Sequence, residues 1–247
     1  MRMPWIIGTL VLLAIWFLVT ATGLVDRVFL PCPDAVFRKL LSLLARGDLL
    51  ADTFATLWRT LLGFVLGCMV GVCVGLLMGA YRPIYETMES PVDFFRSIPA
   101  SALFPLFIVI WGLGNRVQVF IAAWASSMVV LINTMYGIRN VGKLRLMVAK
   151  IKKIPPVKVF YKVMIPEALP YIVAGARIAL SLSFVVEIVA EMFLGVHSGL
   201  GRRIFNATSI FAMEEAYAAV FLIGILGWVA NKGIILAERR VVHWSER

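Results

Sequence analysis

Six stretches of this chain are apolar over roughly the thickness of a lipid bilayer: 4–24, 60–80, 98–114, 117–136, 170–194 and 217–237. A helix needs about 20 mostly apolar residues to cross the hydrocarbon layer. The pattern therefore predicts an all-α, polytopic membrane protein with six transmembrane helices in a single domain, 1–247. Composition agrees: 61% of the residues are hydrophobic, against about 45–50% in a soluble domain. The third stretch is short and holds Pro99 and Pro105, so it is expected to be irregular. The first has a long core and no clean A-x-A site after it, which makes it a retained anchor and not a cleaved leader.

Between the first two stretches, residues 34–46 place Val36, Phe37, Leu40, Leu41, Leu43 and Leu44 on one helical stripe. With Asp34 as N-cap and Gly47 as stop, this predicts an interfacial helix too short to span. The net charge is +10. The basic residues cluster at the ends of apolar runs, as beside anionic lipid, and exclude nucleic acid as the partner. The three cysteines, Cys32, Cys68 and Cys73, have no metal-site spacing and read as packing residues. With six spans, one side of the membrane carries fifteen Lys and Arg, counting Arg82 and Arg96, and the other eight. The richer side is expected to be cytoplasmic, with both termini on it.

That side includes a segment unlike a simple connection. Residues 143–170 carry seven Lys or Arg and one acid, Glu167. About 33 residues between spans far exceeds the usual 2–8-residue link in a helical bundle. Leu144, Met147, Val148 and Ile151 form one apolar stripe. Pro155 and Pro156 then break the helix, and Pro156 suits the first turn of a second one carrying Val157, Phe160, Tyr161 and Met164. Two short amphipathic helices joined by a rigid elbow make a docking surface, which orientation alone would not require.

Here the sequence resembles the membrane subunits of type I ABC importers, in the branch handling alkanesulfonates, taurine, nitrate, bicarbonate and pyrimidine precursors. The family's cytoplasmic signature ends as Val163-Met164-Ile165-Pro166, and its second alanine is Ala149. Its glutamate falls on Met147 and its glycine on Lys153, where a left-handed turn would cost a lysine on the order of 1 kcal/mol. The resemblance continues through "LPCPDAVFRKLLSLLARGDLL", "SIPASALFPLFIVIWGLGN" and "AGARIALSLSFVVEIVAEMFLGVHSGLG". It implies a type I importer permease fold in a bacterial inner membrane, with 143–166 as a cytoplasmic coupling segment. Leu144, Met147, Val148, Ile151, Lys153, Pro155, Pro156, Val157, Phe160 and Tyr161 would touch a cytosolic ATPase dimer. A second permease subunit, the same chain or another, and a periplasmic or lipid-anchored binding protein are the other implied partners. ATP and Mg would be held by the ATPase, with no cofactor, metal or catalytic residue in this chain.

"GIRNVGKL", 137–144, matches G-x-x-x-x-G-K, but Leu144 stands where a P-loop needs Ser or Thr, so the match is read as chance. His197, beside Ser198, lacks the partners of a hydrolase triad. Glycines at 63, 67, 71, 75 and 79 form a ridge that lets helix backbones approach closely. Ionisable groups inside a membrane cost at least about 2.5 kcal/mol and mark pathways or structural pairs. Arg177, Glu187 and Glu191 in the fifth span, with Ser126, Ser127 and Asn133 in the fourth, are the pathway candidates. Glu191 is expected to serve structure through hydrogen bonds more than to touch cargo. The expected cargo is a small organic anion such as a sulfonate or taurine, with nitrate, bicarbonate or a pyrimidine precursor as alternatives. A secondary transporter driven by an ion gradient would instead show internal repeats and mid-membrane carboxylates.

Overall fold

A computed structural model describes residues 4–196 and 198–241, with no strand among the described residues. The helices are α1 (Pro4–Ala21), α2 (Pro33–Arg46), α3 (Asp48–Ala80), α4 (Arg82–Arg96), α5 (Phe104–Trp111), α6 (Asn115–Arg139), α7 (Lys143–Ile151), α8 (Pro156–Val159), α9 (Ile165–Phe193), α10 (Leu200–Ser209) and α11 (Met213–Val241). Four helices are long and apolar enough to cross a membrane: α3, α6, the continuous run Pro156–Phe193, and α11. The pair Arg82–Arg96 and Ala100–Trp111, bent by 88°, makes a fifth crossing if the two halves are one broken span. The first apolar stretch forms the shorter helix α1. The chain divides into two compact units, one of residues 1–56 and 191–226, the other of 57–190 and 227–247.

In the second unit the glycine ridge sets the geometry. A Cβ on Gly63 would meet Ala122, one on Gly67 Ser126, and one on Gly71 Val130. On Gly75 it would meet Thr134 and on Gly79 Ile138, each within 3 Å. Every glycine thus faces the residue 59 positions later, so α3 and α6 run parallel with backbones nearly touching. Two parallel spans need a return crossing between them, and only the bent pair lies there. Along α4, Arg139 stacks on Tyr85 with its guanidinium 3.6 Å from the ring centroid. Further on, Val92 packs with Leu131 and Met135, and Phe95 with Trp124. Helix α4 therefore climbs antiparallel to α6 to its middle. Gly137 meets Ala168 and Tyr171, and Gly175 meets Asn133, so α9 returns antiparallel to α6.

The third crossing accordingly begins at Arg82, not at 98 as its hydropathy suggested. The charges on α4 lower its apolar count, and the prolines displace the break to 97–100. Arg96 leaves the loop tally, and the charge bias stays at fourteen to eight.

In the first unit, α2 forms where expected, but its N-cap is Cys32. Pro33 takes the first helical position and moves Asp34 into the first turn, while Gly47 ends the helix at φ 81°. Trp16 Nε1 donates to the Pro31 carbonyl at 3.1 Å, and Phe37 packs edge-on against Phe221. These contacts tie α1, α2 and the start of α11 together.

Candidate functional site

Helix α7 ends in a left-handed residue, and that residue is Lys153 at φ 51°. The Ile154 amide donates to Ala149 O and the Lys153 amide to Lys150 O, both at 3.0 Å. This is a Schellman motif, built with lysine where glycine is usual. The turn the resemblance called for is present, and Lys153 adopts it at the cost of a Cβ in the left-handed region. Pro155 and Pro156 follow it and open the next helix.

The second coupling helix is not a separate short element. From Pro156 the chain stays helical to Phe193, 38 residues in all. A π-turn at Phe160–Met164 widens the helix just ahead of Pro166, which removes the usual clash between a proline ring and the carbonyl one turn back. Pro166 thus follows a local widening of a continuous helix, where two separate short helices were expected.

Glu167 fixes α7 against this long helix. Its carboxylate accepts the Gly142 amide at 3.1 Å and pairs with Arg145 at 3.1 Å. Held in this way, α7 buries only Ala149. Leu144 and Ile151 are each 74% exposed, and Met147, Val148, Val157 and Tyr161 are also exposed. Phe160 is half-buried, and Lys153, Pro155 and Pro156 are exposed. The ten predicted docking residues lie in and around one elbow, with an apolar face unfilled by this chain. Gly137, which opens the P-loop-like match, is helical and packs on Ala168.

The pathway candidates separate. Ser126 is fully buried beneath Gly67 and donates to Ala122 O at 2.6 Å, so it packs a helix seam. Ser127 is buried beside it. Asn133 donates to Val129 O at 2.8 Å and lies against Gly175, between α6 and α9. Arg177 borders a cavity of about 350 Å³ with Ser181 and Asn231 and pairs with Glu238 at 3.6 Å. Glu187 is fully buried, as is Arg59 at 3%. Among the described residues these two are the buried charges of the second unit.

In the first unit, Glu191 accepts the Thr56 hydroxyl at 2.9 Å on either oxygen and the Gly201 amide at 2.8 Å. Thr56 Oγ1 in turn accepts the Leu200 amide at 2.9 Å, and Asp52 accepts the Gly199 amide at 2.9 Å. Three acceptors therefore cap the first amides of α10, where an anion is favoured. Arg203 then donates to Asp52 at 2.6 Å and to Glu215 at 2.7 Å, and Lys39 reaches Glu215 at 3.4 Å. Partial burial opposes the Arg203 charge, but the Asp52 and Glu215 carboxylates outweigh it and raise its pKa. His197, at the start of this turn, lies outside the described residues.

Two groups escaped the sequence reading. One is the capping network of Asp52, Thr56, Arg203 and Glu215 around Glu191, of which only Glu191 was anticipated. The other is a charged face on α4, where Arg82, Glu86, Glu89, Asp93 and Arg96 are all exposed. Their spacing of four, three, four and three residues puts them on one helical stripe, a signal readable once 82–96 is taken as helix.

Residues 46–243 match the family described as the binding-protein-dependent transport system inner membrane component. The chain belongs to that family. It is 35% identical over 232 residues to a protein of Brucella abortus (strain 2308) named as an ABC transporter permease, covering 94% of this chain and 91% of the relative. It is 31% identical over 242 residues to SsuC of Escherichia coli (strain K12), which carries the name of an aliphatic sulfonates transport permease, at 98% and 91% coverage. A chain of the MetNI methionine ABC transporter, solved in inward-facing conformations, superposes with TM-score 0.68 at 22% identity, over 81% of this chain and 96% of that one. The fold is that of an ABC importer permease, and the permease is an inner-membrane, multi-pass transport subunit.

Proposed function

We propose that this permease carries a small organic anion, of the sulfonate or taurine kind, into the cell, driven by ATP hydrolysis in a separate cytosolic dimer that grips the α7 elbow. A binding protein on the opposite face delivers the cargo, and two permease subunits pair to complete the path. In this orientation α7 and both termini face the cytosol, α2 lies in the interface, and the charged stripe of α4 borders the pathway.

The observation that carries the reading is the elbow. Exposed Leu144, Met147, Ile151, Val157 and Tyr161 stand among seven basic residues on the two sides of an elbow whose first helix is clamped by Glu167. An apolar knob on a rigid support, beside charge that excludes lipid burial, fits insertion into a partner protein. The name of SsuC supports the cargo class, and the basic segment supports the cytosolic placement.

The test is co-purification with the ATPase from detergent. Leu144→Asp with Met147→Asp is expected to release the ATPase while the permease stays inserted. Full ATPase retention would overturn the docking assignment. A protease or thiol label finding 143–166 on the outer surface would do the same.

A further inference from the structure

At the 88° bend the second unit opens a cavity of about 520 Å³ between the break at Ile98–Ser101, α6 and α9. Phe95, Phe104 and Trp124 supply aromatic walls, Met128, Val185 and Val189 aliphatic ones, and the charged group at its edge is Arg96. Packing places this level near the middle of α6, because Phe95 meets Trp124 edge-on at 5.6 Å.

The α4 stripe says what fills such a space. Five charged residues on one exposed face of a crossing segment cannot lie against lipid, where each would cost about 2.5 kcal/mol or more. Irregular backbone at membrane depth is likewise tolerated only against protein or a water-filled cavity. The stripe runs up to Arg96, which also lines the cavity, so charge and cavity meet at one residue.

Arg96 lines the cavity and is paired on one side only. Its Nε donates to Asp93 Oδ1 at 2.7 Å, which holds the guanidinium plane and leaves the two terminal amino groups for another acceptor. That edge is the fork that binds a planar or tripodal oxyanion through two parallel hydrogen bonds.

We infer that this cavity is a cargo site within the permease, taking an organic anion whose acidic group sits on Arg96 and whose aromatic or long aliphatic body fills the space lined by Phe95, Trp124 and Val185. The inference rests on the importer reading and narrows its cargo. A volume of about 520 Å³ lies in the range of sites for drug-sized molecules, and a two-carbon zwitterion such as taurine would leave most of it wet. Asp93 is a positioning residue. It also repels an anion that cannot reach past it to Arg96, which disfavours small inorganic ions.

The test uses the full-length permease in lipid nanodiscs, without a binding protein, and three probes: benzenesulfonate, taurine and the neutral benzyl alcohol. Benzenesulfonate is expected to bind saturably and raise the melting temperature, with taurine binding at least tenfold more weakly. Arg96→Gln should weaken benzenesulfonate tenfold or more. Arg96→Lys should recover only part of the loss, and Ala125→Trp should abolish binding by filling the cavity. Equal responses to benzenesulfonate and benzyl alcohol would mean partition into lipid and would overturn the proposal. So would unchanged binding in both Arg96→Gln and Ala125→Trp.

A Val185→Cys variant lacking Cys32, Cys68 and Cys73 completes the test. A disulfide between two copies that forms regardless of benzenesulfonate would assign the cavity to the second subunit and overturn the proposal. ATP-dependent uptake by the complete transporter distinguishes the two readings. Uptake that proceeds while these variants bind and transport like the parent removes the cavity site but leaves the importer. Absence of ATP-dependent uptake removes both.

Discussion

The carboxylate of Glu191 occupies the space where a side chain at position 199 would begin. A Cβ built on Gly199 would lie 2.3 Å from the Glu191 Cδ atom, and Gly199 itself has φ 143°. Glycine is required there twice, by its backbone angle and by the carboxylate that caps α10.

Gly199→Ala is therefore expected to displace Glu191 from the α10 amides and to destabilise the permease by about 2 kcal/mol or more. Glu191→Gln should cost less, since an amide oxygen can still accept one of the hydrogen bonds. The melting temperatures of the two variants in detergent check the order. Gly199→Ala at parental stability would contradict the cap.

Lys153→Gly should stabilise the permease by about 1 kcal/mol, because the left-handed turn is already formed and glycine holds it without strain. ATPase retention should be unchanged if, as proposed, Leu144 and Met147 make the contact. A lower melting temperature would show that the lysine side chain has a compensating partner.

Along the ridge, Gly67→Ala and Gly71→Ala are each expected to cost about 1–3 kcal/mol. The added Cβ would fall 2.4 Å from Ala123 O in the first case and 2.6 Å from Ser127 O in the second, and backbone cannot step aside as a side chain would. Gly224→Ala, where nothing lies within 4 Å, is the control and should be neutral. A comparison of folded yield and melting temperature for the three variants tests this.

Arg59 and Glu187 are both buried in the second unit, and an uncompensated ion there would be strongly destabilising. The offset that pairs α3 with α6 sets Arg59 level with Gln118, and the α6–α9 packing brings Glu187 to within about a turn of the same level. Arg59→Met and Glu187→Gln should each lower stability, while the double variant should recover part of the loss. A coupling of about 1 kcal/mol or more in the double-mutant cycle is the expected result. Strict additivity would show that the two charges are compensated separately.

The sequence was most legible where one physical rule acts alone. Apolar length identified the long helices, the four-residue glycine period announced the α3–α6 seam, and the two prolines marked the elbow. Glu191 was read as structural because it matches an acidic position of the resembled family near the end of the fifth span, where hydrogen bonding is the expected role. The reading failed where rules compete. Arg82 to Arg96 looked like a loop because its charges mask a helical stripe, although they lie on one exposed face of α4. The second coupling helix looked short and separate, while a π-turn ahead of Pro166 makes room for its ring and lets the helix run on. Ser126 and Asn133 were named for the pathway on polarity alone, and the sequence did not show that each donates within its own helix and lies against a glycine of a neighbour. Asp52, Arg203 and Glu215 were illegible because their partners lie more than a hundred residues apart in the chain or across a turn of unknown shape.

The unbroken run from Pro156 gives the molecule a stiff transmission shaft. Over the 34 residues to Val189 it is roughly 50 Å long, so each degree of tilt imposed near Tyr161 swings its far end by about 0.9 Å. A rocking of only a few degrees at the grip would open or shut a wall of the cavity by the width of a water molecule. The elbow and the wall of the chamber thus belong to one helix, so a force applied to the first would reach the second with no slack to take up between them.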